Sequence, residues 1–529
     1  MKKIIKNIFL PLIIVFACSC EKWLDGALPK DKNLDDKQFS TETGIHSVLN
    51  GLYSRLASTD LYGGRLTITD IELLAHYYYY ENLTDLAENS GYLPFRRMSE
   101  YAYSNDEVTG RLNNIWNTAY KTIFEINTFI KNMRESTAIP DDKKNILLGE
   151  AYGLRAFIHF DLYRFYSGLV LVDMGNDEVG YTYREIPYNN SAEVVPHELL
   201  APDAFLPLLL QDIEVALVYL KDDPITTVGI RDLRPACDNC PYPVDIYTTS
   251  EIFDTFLRNY RMNYYAVRAL KARFLMFIGE VQQASQEAQS ILGEAFGSGK
   301  PFRWADHLKI EEARNRNYIF YEEVIFGITN PDMYSRWKNY TSGTAKGSIY
   351  AVHGDVLRRN IFANDIQSEG DIRRWEDVRS RQWMPSLLDD AQYYSIKYER
   401  FEYTKNNPKE YFQPLIRTGE LWYIIAEAAL LAGDRDKAVD ILDNFYVMRG
   451  AQANRVRENV DSFDRAYSFI ETEYYKEFYG EGQAWFFKKR QASMFLKTQI
   501  MSARRGGEKS NLSSGNFFPY LPQRESDFE

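Results

Sequence analysis

Apolar residues recur at helical spacing along much of the chain. In four stretches they fall three or four positions apart, which is the pattern of an amphipathic helix with one face in a core. The stretches are STETGIHSVLNGLYSRLAS, RLNNIWNTAYKTIFEINTFIKNM, ILLGEAYGLRAFIHFDLYRFY and PLLLQDIEVALVYL. The predicted core positions are Ile45, Val48, Leu49, Leu52 and Leu56; Leu112, Ile115, Trp116, Ala119, Ile123, Ile126 and Ile130; Leu147, Ala151, Leu154, Ile158, Leu162 and Phe165; and Leu209, Ile213, Ala216 and Leu220. The pattern predicts a mainly helical fold.

Two stretches of the chain match each other in residue pattern, which predicts a repeated unit. In KARFLMFIGEVQQASQEAQSIL and YIIAEAALLAGDRDKAVDILDNF, an alanine, a glycine and a second alanine recur at the same spacing, and an acid follows each glycine. Glycine tolerates the left-handed conformation that ends a helix, and a small alanine lets two helices approach closely. The pattern predicts two helix-turn-helix units of the tetratricopeptide kind, separated by long insertions. The matched residues are Ala272, Gly279 and Ala284, and then Ala426, Gly433 and Ala438.

Long polar loops rich in tyrosine separate the helical stretches. One of them reads LTDLAENSGYLPFRRMSEYAYSND. Loops longer than about 15 residues without structure of their own are usually functional or disordered. We therefore look for binding residues in the loops.

The start of the chain has the pattern of a secretory leader. Lysines precede an apolar run from Ile8 to Ala17, which is shorter than the roughly 20 residues that a membrane-spanning helix needs. Ala17-Cys18-Ser19 then leads into Cys20, which resembles the lipobox of bacterial lipoproteins. We predict a signal peptide at residues 1–19 and a lipid anchor, such as palmitate, on Cys20; the alternative is a pair of buried cysteines.

Charge and composition exclude some functions. The 529 residues carry a formal net charge of −12, and the acidic balance argues against a nucleic-acid surface, where a basic patch is expected. No later segment is long and apolar enough to span a membrane. The 39 tyrosines help to make 15% of the residues aromatic. Tyrosine combines a flat apolar face with a hydroxyl, which suits sugar or peptide surfaces as well as wet interfaces.

The remaining cysteines, Cys237 and Cys240, lie in RPACDNCPYP. Outside the cytosol such a pair can close a small disulfide loop, and this is the interpretation we favour. Zinc would need two further ligands, and none follows at matching spacing. Free or metal-bound thiols remain the alternatives.

No motif in the sequence indicates catalysis. The six histidines are scattered, and there is no HExxH, no G-x-S-x-G and no phosphate-binding glycine loop. His159 lies in an apolar helical stretch and is predicted to be a core residue. We predict a protein without enzymatic activity, cofactor or metal site.

Seven stretches together resemble the SusD/RagB family of surface nutrient-binding lipoproteins. Each is weak alone, but they follow the order found in that family. They are CSCEKWLDG at the start, IWNTAYKTIFEIN at 115–127, GEAYGLRAFIHFDLYRFYSG at 149–168, ALKARFLMFIGE, PLIRTGELWYIIAEAALLAGD at 414–434, EFYGEGQAWFFKKR at 477–490 and PYLPQRE at 519–525.

The resemblance implies an all-α fold with four tetratricopeptide-like units and long irregular insertions. It divides the chain into an N-terminal region at 20–230, a loop insertion at 231–262 and a C-terminal region at 263–529. It also implies a lipid-anchored lid on the surface of the outer membrane. The lid would capture an oligosaccharide and pass it to a SusC-like TonB-dependent transporter.

The resemblance implies ligand contacts in two regions rather than at fixed positions. These are the loop before the IWNTAY helix and the insertion after the alanine-rich helix pair. The tryptophans Trp116, Trp422 and Trp485 are predicted to be core residues instead. An oligopeptide ligand and a scaffold that binds only proteins are the alternatives. The candidate ligand-binding residues are Tyr92, Arg96, Tyr101, Tyr103, Trp304, Tyr334, Trp337 and Tyr340.

Overall fold

Helices form the body of the protein and short strands lie in its insertions. The computed structural model describes residues 38–77, 93–167, 185–195, 197–227, 258, 260–308, 318–341, 351–357, 361–362, 370–374, 382–385, 392–399, 412–495, 499–501, 509–511 and 514–522. The all-α prediction is confirmed.

The helices of the described residues are numbered in chain order. They are α1 (Glu42–Leu56), α2 (Asp70–Leu74), α3 (Leu93–Ser99), α4 (Asp106–Glu135), α5 (Asp141–Tyr166), α6 (Pro202–Tyr219), α7 (Tyr264–Phe277), α8 (Val281–Ala295), α9 (Met333–Thr341), α10 (Gly354–Val356), α11 (Thr418–Leu431), α12 (Arg435–Met448), α13 (Arg455–Asn459), α14 (Phe463–Glu477) and α15 (Gln483–Phe495).

The strands pair into four small antiparallel sheets: β1 with β2, β3 with β7, β4–β6–β5, and β8 with β9. Their bounds are β1 (Ile186–Pro187), β2 (Leu199–Leu200), β3 (Val324–Thr329), β4 (Ala351–His353), β5 (Trp383–Pro385), β6 (Gln392–Ser395), β7 (Phe412–Arg417), β8 (Gln499–Met501) and β9 (Lys509–Asn511).

The four amphipathic stretches form α1, α4, α5 and α6. Helix α4 begins at a cap in which Asn105 Oδ1 accepts hydrogen bonds from the backbone N–H groups of Glu107 and Val108, at 3.1 and 3.4 Å. The predicted core positions are buried, apart from Val48, which is partly buried against the core. Helix α5 is buried around nearly its whole circumference, because α4 and α6 both pack against it. The buried surface of α5 therefore extends beyond the single apolar face that the sequence pattern predicted.

The two predicted helix-turn-helix units are α7/α8 and α11/α12. Gly279 and Gly433 end the first helix of each unit with φ values of 87° and 85°, where an L side chain would be strained. All four matched alanines are fully buried. Both units thus have the predicted glycine turn and close helix packing.

The helix pairs stack side by side. Helices α4 and α5 pack together, α6 packs against both α5 and α7, and α8 packs against α11. Helix α14 packs against α11, α12 and α15. The described helices thus form a continuous stack, with the sheets β3–β7 and β4–β6–β5 in the insertion between α8 and α11.

The largest core cluster runs from Phe39 to Phe518 and draws on both predicted regions. The predicted domain boundaries stay a prediction. Of the 231–262 insertion, the structure describes 258 and 260–262, where Arg258 is paired with Glu150 and Asp223. The signal peptide, Cys20, Cys237 and Cys240 lie outside the described residues. Among the described helices, none has the length and hydropathy to cross a membrane.

A buried ion network joins the insertion to the helical stack. Its centre is Glu477, the last residue of α14. Arg449 donates to both Glu477 oxygens at 2.9 and 2.5 Å, Arg373 Nη1 donates to Oε2 at 2.9 Å, and Arg417 Nη1 donates to Oε1. All four side chains are fully buried.

Each arginine of this network also binds a second acid. Arg449 pairs with Glu323 at 2.7 and 2.6 Å, Arg417 with Glu481 at 3.0 and 2.9 Å, and Arg373 with Asp371 at 2.9 and 2.8 Å. Burial opposes ionisation of Glu477, but attraction from the three arginines outweighs it and holds its pKa well below the usual range. The network therefore stays charged at neutral pH.

We expect Glu477→Gln to lower the free energy of unfolding by about 3–5 kcal/mol at pH 7, because it leaves buried arginine charge without its partner. Urea denaturation measures the change. Glu458→Gln is the control, since Glu458 is exposed and its oxygen is 3.7 Å from Arg455; it should change stability little. Equal urea midpoints for the two variants would contradict the importance of the network.

Candidate functional site

The first predicted binding region begins in helix α3. Arg96 lies on this helix with its side chain about one third exposed (33%), and its Nε donates to Glu100 Oε1 at 2.8 Å. Arg97 also donates to Glu100, at 3.3 Å. Tyr92 lies outside the described residues. Helix α3 therefore presents two arginines at the surface around one acid.

Tyr101 and Tyr103 turn inward from the end of α3. Tyr101 has a φ of 56°, its hydroxyl donates to the Leu74 carbonyl at 2.8 Å, and its ring stacks on Trp485 with centroids 6.0 Å apart. Tyr103 is buried and donates to the Asn516 carbonyl at 2.6 Å. Both tyrosines therefore pack against neighbouring segments and hydrogen-bond to their backbone, and Tyr103 has no open face for a ligand.

Tyr520 lies beside Tyr103 and was not among the predicted site residues. Its ring centroid is 5.9 Å from that of Tyr103, and half of the residue (51%) is exposed. The stretch PYLP places it between two prolines, which oppose a regular helix or central strand. An aromatic residue between two prolines was the sequence signal that could have identified it.

Trp304 belongs to the core of the C-terminal helices. Its ring contacts those of Phe296, Trp422 and Phe445, at centroid distances of 5.0, 5.6 and 5.3 Å. The Arg449 guanidinium lies 5.3 Å from the same ring. Trp304 is partly buried, and it covers one side of the ion network.

Helix α9 carries the other predicted residues, of which Tyr334 and Trp337 differ in burial. Trp337 is fully buried, its Nε1 donates to the Ser395 carbonyl at 3.1 Å, and its ring contacts Tyr398 at 5.0 Å. Tyr334 is only partly buried, and its hydroxyl hydrogen-bonds to Glu399. The Tyr340 side chain is outside the described part of the helix.

Trp337, predicted as a candidate ligand contact, is fully buried and has no open face for a ligand. The segment around it folds into helix α9, and a helix at the edge of a core buries one face and exposes another. Tyr334 and Lys338 are on the more exposed side, with the Lys338 Nζ 5.5 Å from the Tyr334 ring centroid. Whether Tyr334 contacts a ligand stays a prediction.

Buried rings connect the two predicted regions. Trp337 contacts Tyr479 at 5.7 Å, Tyr479 contacts Tyr77 at 4.4 Å, and His76, next to Tyr77, contacts Tyr101 at 5.1 Å. The two regions thus share a support of buried aromatic rings.

The turn Gly480-Glu481-Gly482 packs closely against these buried rings. The two glycines have φ values of 70° and 75°. A Cβ on Gly482 would lie 2.3 Å from the Leu66 carbonyl oxygen, so no larger residue fits without a shift. The Gly482 N–H donates to Glu72 Oε1 at 2.8 Å, which ties α2 to the turn.

Burial raises the pKa of Glu72 to about 8, although the Gly482 N–H and Lys397 favour its charged form. The other carboxyl oxygen, Oε2, is buried without a hydrogen-bond partner. Glu72 is therefore a neutral acid in the folded protein at pH 7, whereas the same group ionises near its ordinary value of 4.5 in the unfolded chain.

Because the folded-state pKa of Glu72 is raised, its contribution to stability is complete below about pH 4.5 and is lost as the pH rises through 8. Glu72→Gln keeps an acceptor for the Gly482 N–H but cannot titrate. We expect its free energy of unfolding to decline less than that of the wild type between pH 5 and 8, as measured by urea denaturation. The exposed control Glu193→Gln should run parallel to the wild type; a parallel Glu72→Gln curve would contradict the assignment.

His159 confirms its predicted place in the core. Its ring is fully buried and stacks on Tyr188 at 4.3 Å, and its Nε2 is 3.0 Å from the Asn189 carbonyl oxygen. Burial lowers its pKa to about 3, so it is neutral.

Trp116 and Trp485 are buried as predicted, and Trp422 is partly buried against the C-terminal core. Within the described residues, no three acidic, histidine or cysteine side chains are grouped as metal ligands would be.

Comparisons with known proteins show which family the chain resembles. Residues 22–205 match a SusD-like family model described as "Starch-binding associating with outer membrane". Those residues are similar to that family, and the chain as a whole has the SusD fold. The resemblance seen in the sequence is thereby confirmed. No curated protein matches the chain in sequence.

Solved structures extend the SusD fold to the rest of the chain. A SusD superfamily protein from Bacteroides thetaiotaomicron superimposes with a TM-score of 0.64 at 18% identity, covering 92% of this chain and 98% of that one. A SusD-like carbohydrate binding protein from Bacteroides vulgatus gives 0.61 at 16% identity, with coverages of 92% and 96%. Surface glycan-binding protein A from Bacteroides thetaiotaomicron gives 0.58 at 15%, with 93% and 98%.

Proposed function

We propose that this protein is a surface lipoprotein that captures an oligosaccharide and passes it, unaltered, to a TonB-dependent transporter in the outer membrane. The observation that carries the proposal is the match of residues 22–205 to a family described as starch-binding and associating with the outer membrane. The fold similarity to a surface glycan-binding protein over 93% of the chain supports it.

The exposed side chains of the two predicted regions suit a sugar ligand. A sugar ring has a flat C–H face and a rim of hydroxyls, so its site needs an open aromatic face with polar groups beside it. Tyr520 offers the open ring near the first region, where α3 carries Arg96 and Arg97. Tyr334, with Lys338 and Glu399, offers a similar combination in the second region.

Two alternative functions keep the same fold. An oligopeptide could replace the oligosaccharide, because a tyrosine face and charged neighbours also suit a peptide. A scaffold that binds only proteins would use the helix pairs themselves, as repeat proteins do. The scaffold reading is favoured by the burial of Tyr103 and Trp337, whereas half-exposed Tyr520 beside Tyr103 favours a small ligand.

We expect calorimetric titration against panels of polysaccharides and peptides to show tighter binding to a polysaccharide. Tyr520→Ala or Tyr334→Ala should weaken that binding at least about tenfold, which corresponds to about 1.4 kcal/mol, because each removes a stacking face. Phe463→Ala is the matched control, since Phe463 is an exposed aromatic (37%) on α14, away from both predicted regions in sequence.

Tighter binding to peptides would favour the oligopeptide alternative, and no binding to either panel would favour the scaffold. Equal weakening by Phe463→Ala would show that the two tyrosines have no special role. Turnover of any glycan by the purified protein would contradict the proposal that the cargo leaves unaltered.

The anchor and the transporter complete the proposal. Several acyl chains on Cys20 would hold the protein at the membrane, because each buried CH₂ adds about 0.8 kcal/mol of membrane affinity. A gene for a TonB-dependent transporter beside this one would support the lid role. Neighbouring genes for glycan hydrolases would indicate the class of glycan.

We expect Cys20→Ala to abolish labelling with a radioactive fatty acid and to move the protein out of the membrane fraction, because Cys20 is the proposed acylation site. Ser19→Ala, at the preceding position, is the control and should leave both labelling and fractionation as in the wild type. Continued fatty-acid uptake by Cys20→Ala would overturn the proposed anchor.

A further inference from the structure

Two surface arginines of helix α3 converge on a single acid. Arg96 Nε donates to Glu100 Oε1 at 2.8 Å, and Arg97 Nη1 donates to Glu100 Oε2 at 3.3 Å. Among the residues that the structure describes, neither guanidinium has a second acid within ion-pair distance. Two positive charges therefore meet at one carboxylate, which can neutralise only one of them.

Most N–H groups of this arginine pair are unused. Within the described part of the chain, the Arg96 side chain bonds through Nε alone and the Arg97 side chain through Nη1 alone. Arg97 Nε is buried and has no hydrogen-bond partner in the described structure. The two side chains are 33% and 41% exposed, so a ligand can reach their outer nitrogens from solvent.

Arg111, in contrast, is matched by an acid of its own. Its guanidinium lies over the ring of Phe95, which precedes Arg96, at 4.4 Å from the centroid. Its Nε and Nη2 donate to the two oxygens of Asp70 at 2.5 and 2.7 Å. The uncompensated positive charge thus belongs to Arg96 and Arg97, on a chain whose formal net charge is −12.

The open ring of Tyr520 packs on the turn that follows α3. The Arg97 carbonyl accepts a hydrogen bond from the Ala102 N–H at 2.9 Å, and Tyr103 follows Ala102. The Tyr520 ring centroid is 5.9 Å from that of Tyr103, and half of Tyr520 is exposed. An aromatic face and a positively charged group thus lie on adjacent parts of the surface.

The geometry of the arginine pair favours a carboxylate as the ligand group. A guanidinium presents parallel N–H groups that match the two oxygens of a planar carboxylate. Glu100 shows that both guanidiniums can approach one carboxylate, each at a different oxygen. A neutral hydroxyl would bring no charge to offset the second arginine. Among sugars, the uronic acids carry a carboxylate.

We propose that the oligosaccharide captured at the first region is acidic, and that the carboxylate of a uronic acid binds Arg96 and Arg97. This inference rests on the proposed function, because it names the class of the same cargo. Glu100 holds the two guanidiniums together and competes with the ligand for their N–H groups. Tyr520 stacks against a neighbouring sugar ring.

Calorimetric titration with matched glycans measures the preference for charge. The probes are uronic-acid oligosaccharides, each paired with its methyl ester, which keeps the sugar backbone but not the charge. We expect the best acid to bind at least about tenfold tighter than its ester, because hydrogen bonds to a charged group are the stronger ones. A maltooligosaccharide is the neutral starch probe, and dextran sulfate tests whether any polyanion binds.

Arg97→Gln should weaken binding of the acid at least about fivefold and leave binding of the ester unchanged, because it removes charge but no stacking face. Arg457→Gln is the matched control, since Arg457 is also 41% exposed but pairs with both Asp440 and Asp443. This variant should bind both probes as the wild type does.

Glu100→Gln should tighten binding of the acid, because it removes the competing charge while its amide oxygen still accepts one hydrogen bond. The variants at Arg97 and Glu100 are thus expected to move the affinity in opposite directions. Weakening by both would show that they only maintain the shape of α3, and would contradict the proposed site.

The remaining outcomes separate this inference from the function on which it rests. Tighter binding of the maltooligosaccharide or of the esters than of any acid would refute the acidic cargo but leave a glycan-binding protein. Dextran sulfate that binds as tightly as the best acid would refute the carboxylate site. A lower thermal midpoint of Arg97→Gln with unchanged affinity would assign the arginines to the end of α3, where cations are favourable. Binding of no glycan would refute the proposed function as well.

Discussion

The carboxylate of Glu477 holds together parts of the chain that no helix connects. It accepts hydrogen bonds from Arg373, Arg417 and Arg449, which come from an insertion segment, the end of β7 and the end of α12. Taking these charges out of water is costly, and the network repays that cost only when its geometry is complete. The cost is a constraint on the fold, since an arrangement that separates any one arginine from Glu477 leaves buried charge without a partner.

The same network sets the position of the proposed binding surface. The Gly480-Glu481-Gly482 turn begins three positions after Glu477, and Glu481 is itself bound to Arg417. The turn contacts Trp337 and Tyr398 from one side and Glu72 from the other. Tyr520 and Tyr334, the tyrosines with accessible surface at the two predicted regions, therefore have well-packed, buried neighbours. A site that is already ordered before binding loses less conformational entropy when the ligand arrives.

The sequence predicted the features that depend on local pattern. Gly279 and Gly433 could be recognised because a helix turn with positive φ needs glycine, and His159 because it lies among apolar residues at helical spacing. The partners of Glu477 could not be predicted, since Arg373 is 104 positions away and any of the many acids could have paired with it. The burial of Trp337 could not be predicted for a related reason. Whether an insertion residue faces inward depends on which segment packs over it, and here that segment is the distant stretch from Ser395 to Tyr398.

Solved structures that share only 14–18% sequence identity with this chain have the same SusD fold, so the helical stack requires few identical residues. Cores accept many apolar combinations when volume and patterning are kept, so the helix pairs can persist while their sequences diverge. Ligand choice is subject to a different constraint. In the proposed function it depends on side chains such as Tyr520, Arg96 and Tyr334, whose exposed parts do not fill the core, so we expect substitutions there to leave the stack intact. A rigid support under replaceable surface side chains lets one fold serve many ligands, and fold similarity therefore identifies the class of protein more readily than its cargo.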